Sequence, residues 1–129
     1  MCLFWIKLNG KCQIKDFYQS TLDSLMSRTE IGTNGCIIFV GNPSSTYGRL
    51  NVQFPGKSKQ DIYVHRLAWM LHNGVDHIPV GFEASHLCHI PKCVAIDHIR
   101  LETHAENQNR QTCNRYGFCV YEHDPECIF

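Results

Sequence analysis

The densest run of potential metal ligands in the chain is SHLCHIPKCVAIDH, residues 85–98. Four residues separate Cys88 from Cys93, and four more separate Cys93 from His98. Thiolate and imidazole are the ligands that structural zinc prefers, and three of them on one short loop can occupy three corners of a tetrahedron. The spacing therefore predicts a zinc-binding loop, with buried free thiols beside a surface histidine as the alternative.

The fourth ligand of such a site must come from another part of the chain, because structural zinc is almost always four-coordinate. Cys36 is the best-placed candidate, since it begins the apolar run CIIFV at residues 36–40, which is typical of a buried strand. Cys2 and Cys12 are the alternatives, and spacing alone does not choose among the three cysteines.

A second set of ligands follows in the order Cys113-x5-Cys119-x3-His123-x3-Cys127. The segment that carries them lacks the periodicity of a core-forming helix or strand, so something other than a hydrophobic core must order it. Zinc can do so, because the free energy of binding the metal is then free energy of folding. The alternative is a disordered tail that contains cysteines.

Composition and compartment bear on the choice between zinc and disulfides. The chain has 129 residues, eight Cys, eight His and a formal net charge of zero, so one domain is expected and a strongly basic nucleic-acid module is excluded. The first apolar run, residues 2–6, is broken by Lys7 and has no signal-peptide cleavage site after it. No other run approaches membrane length. We therefore expect an intracellular protein, in which clustered cysteines more often bind metal. A disulfide-rich secreted protein is the competing class.

The remaining pattern predicts an α+β fold, a small mixed domain with antiparallel strands. Apolar residues at helical spacing predict a helix within residues 14–28. Thr103 and Glu106 form a capping box that begins a helix running to about residue 111. The other expected elements are strands at residues 36–40, 47–54 and 62–65, a short helix at residues 66–72 and an irregular hairpin at residues 82–101.

One predicted strand alternates, so that Arg49, Asn51 and Gln53 share a face. Residues 31–75 contain four basic residues and one acidic residue, whereas residues 76–129 contain four basic and eight acidic residues. The alternating strand therefore lies in a positively charged region. Its polar face is either a solvated surface or a surface that contacts DNA.

Two further side chains are suited to the hydrolysis of phosphodiester bonds. His86 stands two residues before Cys88, so a metal-bound loop would anchor its backbone, and Asn107 lies on the capped helix. A neutral imidazole can take a proton from water. An amide oxygen can help to hold a hard divalent cation, which stabilises charge on the scissile phosphate and on the leaving oxygen. Without context, a lone histidine and a lone asparagine are more often ordinary surface residues.

Taken together, residues 85–98, the pair Glu106-Asn107 and the cysteines at 113–127 resemble the His-Cys box homing endonucleases. This family belongs to the ββα-metal, or His-Me finger, superfamily of nucleases, to which HNH endonucleases with a zinc-binding loop are related. The segments YGRLNV at residues 47–52 and VHRLAW at residues 64–69 are also similar to the corresponding region of the family. The resemblance covers most of the chain.

The resemblance implies two structural zinc sites, a catalytic Mg2+ or another divalent cation, and an active site that cleaves DNA. His86 matches the general base, and Asn107 matches the single protein ligand of the Mg2+. Arg49 matches a strand arginine close to the scissile phosphate. The implied zinc ligands are Cys36, Cys88, Cys93 and His98 in the first site, and Cys113, Cys119, His123 and Cys127 in the second.

By the same resemblance, the strands around Arg49 lie in the major groove of DNA. Asn51 and Gln53 are then candidates for contacts with bases, because amides suit the edge of adenine. Lys57 and Lys59 are candidates for contacts with phosphates.

The implied function is that of a metal-dependent endonuclease that acts on double-stranded DNA, either as a homodimer or as a monomer. We expect it not to associate with membranes and, if the source is eukaryotic, to be located in the nucleus. The competing hypothesis is a catalytically inactive, zinc-stabilised DNA-binding module. The expected layout is a single domain over residues 1–129. It comprises an N-terminal helical segment at 1–32, a DNA-binding sheet region at 33–75, the ββα-metal motif at 82–112 and a zinc-binding segment at 113–127.

Overall fold

The computed structural model describes residues 7–8 and 11–129, with side chains from Asp16 onward. Three helices, four antiparallel strand pairs and one 3-10 turn follow one another in this part of the chain. The helices are α1 (Gln13–Met26), α2 (Val64–Asn73) and α3 (His104–Tyr116), and the 3-10 turn is Ile96–His98. The strand pairs are β1 (Lys7–Leu8) with β2 (Lys11–Cys12), β3 (Thr29–Ile31) with β4 (Ile37–Phe39), β5 (Arg49–Val52) with β6 (Gln60–Tyr63), and β7 (Glu83–His86) with β8 (Ile99–Glu102). The predicted α+β fold with antiparallel strands is confirmed.

The hydrophobic core is centred on α2. This helix buries Val64, Leu67, Ala68 and Leu71, whose spacing places them on one face. Leu25 of α1 is fully buried in the same cluster, and α1 packs against α2. Within the described residues, each helix is too short or too polar to cross a lipid bilayer.

The start of α2 differs from the sequence-based prediction. The helix begins at Val64, two residues earlier than expected, because β6 ends at Tyr63. His65 therefore lies in the first turn of the helix rather than at the end of a strand, and it is buried.

Strand β4 is paired with β3 along one edge and with the loop between β7 and β8 along the other. The backbone N–H of Phe39 donates to the carbonyl of Lys92 at 2.9 Å, and Ile38 pairs with Cys93 in an isolated bridge. This pairing brings the predicted zinc-binding loop against the start of β4, immediately after Cys36.

Strands β7 and β8 and helix α3 form a ββα unit. The strands pair from Glu83 opposite Glu102 to His86 opposite Ile99. Thr103 then caps α3 with both hydrogen bonds of the predicted capping box. The unit therefore carries His86 on one strand and leads directly into the helix that carries Asn107.

Helix α3 extends to Tyr116, beyond the predicted end near residue 111. Its inner face is buried through Arg110 and Cys113 rather than through apolar residues, so hydrophobic periodicity does not reveal its last turn. Gly117, with a φ of 79°, ends the helix in the left-handed conformation that glycine adopts without strain. Cys113 is consequently presented from a helix and not from a loop.

Arg110 is the largest fully buried side chain among the described residues. Its Nε donates to Oε1 of Glu102 at 2.5 Å and its Nη2 to Oε2 at 2.7 Å, which is a bidentate ion pair. Nη2 also donates to the carbonyl of Pro125 at 2.9 Å. The guanidinium thus joins α3 to β8 and to the C-terminal segment.

Replacing Arg110 with Ala should lower the free energy of unfolding by about 3–5 kcal/mol, because the Glu102 carboxylate is then left buried without its partner. Arg100→Ala, at an exposed position of β8, should change it by less than about 0.5 kcal/mol. Urea unfolding of the zinc-loaded protein, followed by circular dichroism, measures both values. Equal losses in the two variants would contradict the structural role of the buried ion pair.

Candidate active site and metal centres

The first group of potential zinc ligands forms where β4 meets the loop between β7 and β8. One ligand atom from each of Cys36, Cys88, Cys93 and His98 lies within 4.8 Å of the other three, and all four residues are buried. Nδ1 of His98 is 3.5 Å from Sγ of Cys36 and 3.6 Å from Sγ of Cys93. Ordinary zinc bond lengths in a tetrahedron separate a sulfur from a nitrogen ligand by about 3.6 Å. The donor set and its spacing therefore fit a structural zinc ion, with Cys36 in the fourth position.

The thiols of this cluster are unequal in acidity. The proximity of Cys88 lowers the pKa of Cys93, while that of Cys93 raises the pKa of Cys88. Cys93 therefore carries a thiolate readily, and the thiolate is the form that binds zinc. The alternative ligands considered for this site, Cys2 and Cys12, have side chains outside the described residues.

The second group forms between the last turn of α3 and the C-terminal segment. The ligand atoms of Cys113, Cys119, His123 and Cys127 all lie within 4.8 Å of one another. Nδ1 of His123 is 3.6, 3.3 and 3.7 Å from the sulfur atoms of these cysteines, in chain order. This group also has the donor set and the spacing of a tetrahedral zinc site.

Hydrogen-bond donors surround the sulfur atoms of the second group. The backbone N–H of Val120 donates to Cys113 at 3.2 Å, and the guanidinium of Arg110 donates to Cys127 at 3.3 Å. With zinc bound, the three thiolates would leave this site a net charge of −1, and the guanidinium of Arg110 lies between it and the carboxylate of Glu102. Few side chains of this segment are buried, so we expect its order to depend on a bound metal and on Arg110.

His86 is held by the first zinc loop. Its Nε2 lies 3.1 Å from the carbonyl oxygen of Cys93. A carbonyl oxygen only accepts hydrogen bonds, so Nε2 carries the proton and Nδ1 keeps its lone pair. Burial lowers the pKa of His86 below its ordinary value. The ring is thereby kept neutral and able to accept a proton at Nδ1.

A second histidine packs against His86. The ring centroids of His65 and His86 are 4.4 Å apart. Burial, followed by the proximity of His86, lowers the pKa of His65 to about 3. Nδ1 of His65 is buried and has no partner among the described residues. One face of His86 thus packs against a neutral aromatic ring.

Asn107 is half-buried near the start of α3. Its Nδ2 donates to Oε1 of Glu83 at 2.7 Å, while Oε2 of Glu83 lies 2.8 Å from Nδ1 of His104. The hydrogen bond from Asn107, followed by that from His104, lowers the pKa of Glu83. Oδ1 of Asn107 makes no hydrogen bond to the described residues. An amide oxygen is a hard donor, so Asn107 fits a hard divalent cation such as Mg2+.

His86 and Asn107 line one cavity of about 730 Å³. The cavity also exposes aromatic rings and guanidinium groups, which are suited to bases and phosphates respectively. The aromatic side chains are Tyr47, Tyr63 and Phe82, and the exposed guanidinium groups are those of Arg66 and Arg115. Arg110 also lines the cavity, but its guanidinium is buried in the ion pair with Glu102.

Sequence reasoning missed several residues of this cavity. Gln111, Asn114 and Arg115 follow Asn107 at intervals of four, seven and eight residues, which place them on the same helix face. Helical spacing would have identified them if the helix had been extended past residue 111. Glu83 had no comparable signal, because the register of β7 and the start of α3 bring it to Asn107.

Arg49 lies beside this cavity rather than in its lining. Its guanidinium is 3.3 Å from both Oδ2 of Asp61 and the hydroxyl of Tyr63, and it lies over the Tyr63 ring. Tyr63 itself lines the cavity. The structure therefore brings His86 and Asn107 together and holds Arg49 nearby, through residues of β6.

The other predicted DNA contacts have different surroundings. Asn51 is exposed on β5, and Lys59 is exposed in the turn after it. The side chain of Gln53 donates to the backbone of Lys57, while Lys57 pairs with Asp76 at 3.3 Å. Gln53 and Lys57 would have to leave these intramolecular partners to contact DNA.

Residues 62–109 match the family model described as HNH endonuclease. The matched segment runs from the end of β6 into α3 and contains both His86 and Asn107. The match supports an HNH, or ββα-metal, nuclease family for this part of the chain and, with it, metal-dependent nuclease activity. Neither the curated proteins nor the solved structures that were compared yield a match.

Elemental analysis of the purified protein should give two zinc ions per chain. Cys36→Ser and Cys127→Ser should each leave one, because each removes a ligand from a different tetrahedral group. Cys2→Ser and Cys12→Ser serve as controls and should keep both ions. If Cys36→Ser keeps two ions and one of the controls loses an ion, Cys36 is not a ligand of the first site. If the wild-type protein contains no zinc, neither group is a zinc site.

Proposed function

We propose that the chain is a metal-dependent DNA endonuclease of the His-Cys box type, with His86 as general base and Asn107 as the protein ligand of a catalytic Mg2+. The proposal is carried by one observation: a neutral His86 with a free Nδ1 and an Asn107 with a free amide oxygen line the same cavity. The HNH match over residues 62–109 supports the same class of reaction.

His86 takes the proton from the attacking water at Nδ1. The hydrogen bond to Cys93 holds the ring in the tautomer that leaves this atom free, and burial disfavours the imidazolium before the reaction. The backbone carbonyl belongs to a zinc ligand, so the metal loop limits rotation of the ring. Such pre-orientation is what a general base requires.

Asn107 holds the divalent cation through Oδ1. When bound, the cation stabilises negative charge on the scissile phosphate and on the leaving oxygen. Arg66 and Arg115, which line the same cavity, are placed to contact phosphates. Arg49 adds a further guanidinium at the edge of the cavity, where it is oriented by Asp61.

The substrate that this arrangement suits is double-stranded DNA. Asn51 is free to contact a base edge, and Lys59 is free to contact a phosphate. Gln53 could contact a base and Lys57 a phosphate after each has left its intramolecular partner. Because the chain is neutral overall, binding depends on a localised positive surface and should weaken steeply with salt. A homodimer would cut both strands, whereas a monomer would nick one.

Purified zinc-loaded protein should nick supercoiled plasmid DNA in the presence of Mg2+. His86→Ala and Asn107→Ala should each lower the rate by about 100-fold or more, because one removes the proton acceptor and the other removes the cation ligand. His72→Ala, at an exposed position of α2, is the matched control and should cleave like the wild type. Agarose gels that separate supercoiled, nicked and linear DNA measure the rates.

Brief treatment with EDTA should stop cleavage, and added Mg2+ should restore it. Cleavage that survives both substitutions would overturn the proposed mechanism. DNA binding without cleavage by the wild type, in any of Mg2+, Mn2+ or Co2+, would instead support the inactive DNA-binding module.

A further inference from the structure

Glu83 connects the strand of the proposed base to the helix of the proposed cation ligand. It is the first residue of β7, which ends at His86, and its side chain lines the same cavity. Its two carboxylate oxygens have different partners: Oε1 accepts from Nδ2 of Asn107 at 2.7 Å, and Oε2 lies 2.8 Å from Nδ1 of His104.

The hydrogen bond from Asn107 has a direct consequence for the orientation of its amide. An asparagine side chain has a donor end and an acceptor end of nearly the same shape, so sterics alone do not distinguish the two. A carboxylate only accepts, so the end that faces Glu83 must be the NH2 group. The oxygen is then the end that faces away from Glu83.

The opposite orientation of the Asn107 amide would prevent Oδ1 from binding the cation. If the amide were rotated by half a turn, Oδ1 would face the carboxylate and the NH2 group would take the place of the cation ligand. The NH2 group carries partial positive charge and no lone pair available for a metal. A partner that excludes this rotamer therefore increases the fraction of molecules that can hold the cation.

The geometry points to Glu83 as a positioning residue that fixes the side-chain amide of Asn107 with its oxygen free for the divalent cation. The role resembles that of the outer-shell partners that orient metal ligands in other proteins. The orientation of the amide is independent of the reaction, whereas its effect on catalysis rests on the proposed endonuclease function.

Two substitutions distinguish the orientation of the Asn107 amide from the negative charge of Glu83 as the cause of an effect. Glu83→Gln keeps an acceptor oxygen for Nδ2 of Asn107 and places an NH2 group toward His104, so it removes the charge while keeping the hydrogen bond. Glu83→Ala removes both. His104→Ala is the matched control, because it removes the other partner of Glu83 and leaves the bond to Asn107 intact; His104 is exposed.

The first measurement is a 1H–15N spectrum of protein labelled on asparagine, with the side-chain signal of Asn107 assigned by Asn107→Ser. We expect its hydrogen-bonded proton to move upfield in Glu83→Ala and to stay near its wild-type position in Glu83→Gln and His104→Ala. Unchanged zinc content and thermal stability confirm that each variant is folded. An unchanged Asn107 signal in folded Glu83→Ala would overturn the inference.

The second measurement is the Mg2+ dependence of plasmid nicking. Glu83→Ala should raise the half-saturating Mg2+ concentration by about 10–100-fold, with a smaller effect on the rate at saturation, and Glu83→Gln should restore a value close to that of the wild type. A Glu83→Gln variant as impaired as Glu83→Ala would overturn the positioning role, because charge would then be the cause. If the wild type does not nick DNA at all, the proposed function fails, and the spectrum still tests the orientation of Asn107.

Discussion

The hydrogen bond between Nε2 of His86 and the carbonyl oxygen of Cys93, 3.1 Å long, is the contact on which the proposed chemistry depends. Cys93 takes part in three interactions at once. Its sulfur belongs to the first zinc group, its backbone pairs with Ile38 of β4, and its carbonyl orients the imidazole. Cys93, which has no exposed surface, therefore joins the first group of potential zinc ligands to the ring of His86. A metal bound there would restrain the ring more closely than a hydrophobic loop of this length would.

Helix α3 relates the second metal group to the same cavity. Asn107, Arg110 and Cys113 follow at intervals of three residues, so one helix carries the proposed cation ligand, a buried ion pair and a potential zinc ligand in succession. The C-terminal segment also returns to the first loop, where the N–H of Ile128 donates to the carbonyl of Leu87 at 2.7 Å. In a chain of this size, two bound metals and one buried ion pair would supply the order that a larger core would otherwise provide.

Local patterns were predictable from the sequence, and contacts set by tertiary structure were not. The spacing of Cys88, Cys93 and His98 indicates zinc because all three lie on one short loop, and the capping box at Thr103 is equally local. The pairing of β4 with that loop brings Cys36 to the other three ligands, and it depends on tertiary structure. From spacing alone, Cys36 was one of three candidates. The contacts of Glu83 with α3 and of His65 with His86 join residues about twenty positions apart, and no periodicity reveals them. The homing-endonuclease type and the individual catalytic roles remain predictions.

We propose that the loop carrying Cys93 holds His86 neutral with its proton on Nε2, so that Nδ1 is the base. Two-bond 1H–15N correlation spectra of protein labelled with 15N-histidine report this tautomer directly, because protonated and unprotonated ring nitrogens resonate in well-separated regions. For the zinc-loaded wild type at neutral pH, we predict a protonated Nε2 and an unprotonated Nδ1 for His86, assigned with the aid of His86→Ala. A proton on Nδ1, or on both nitrogens, would show that Nδ1 of His86 is not the base.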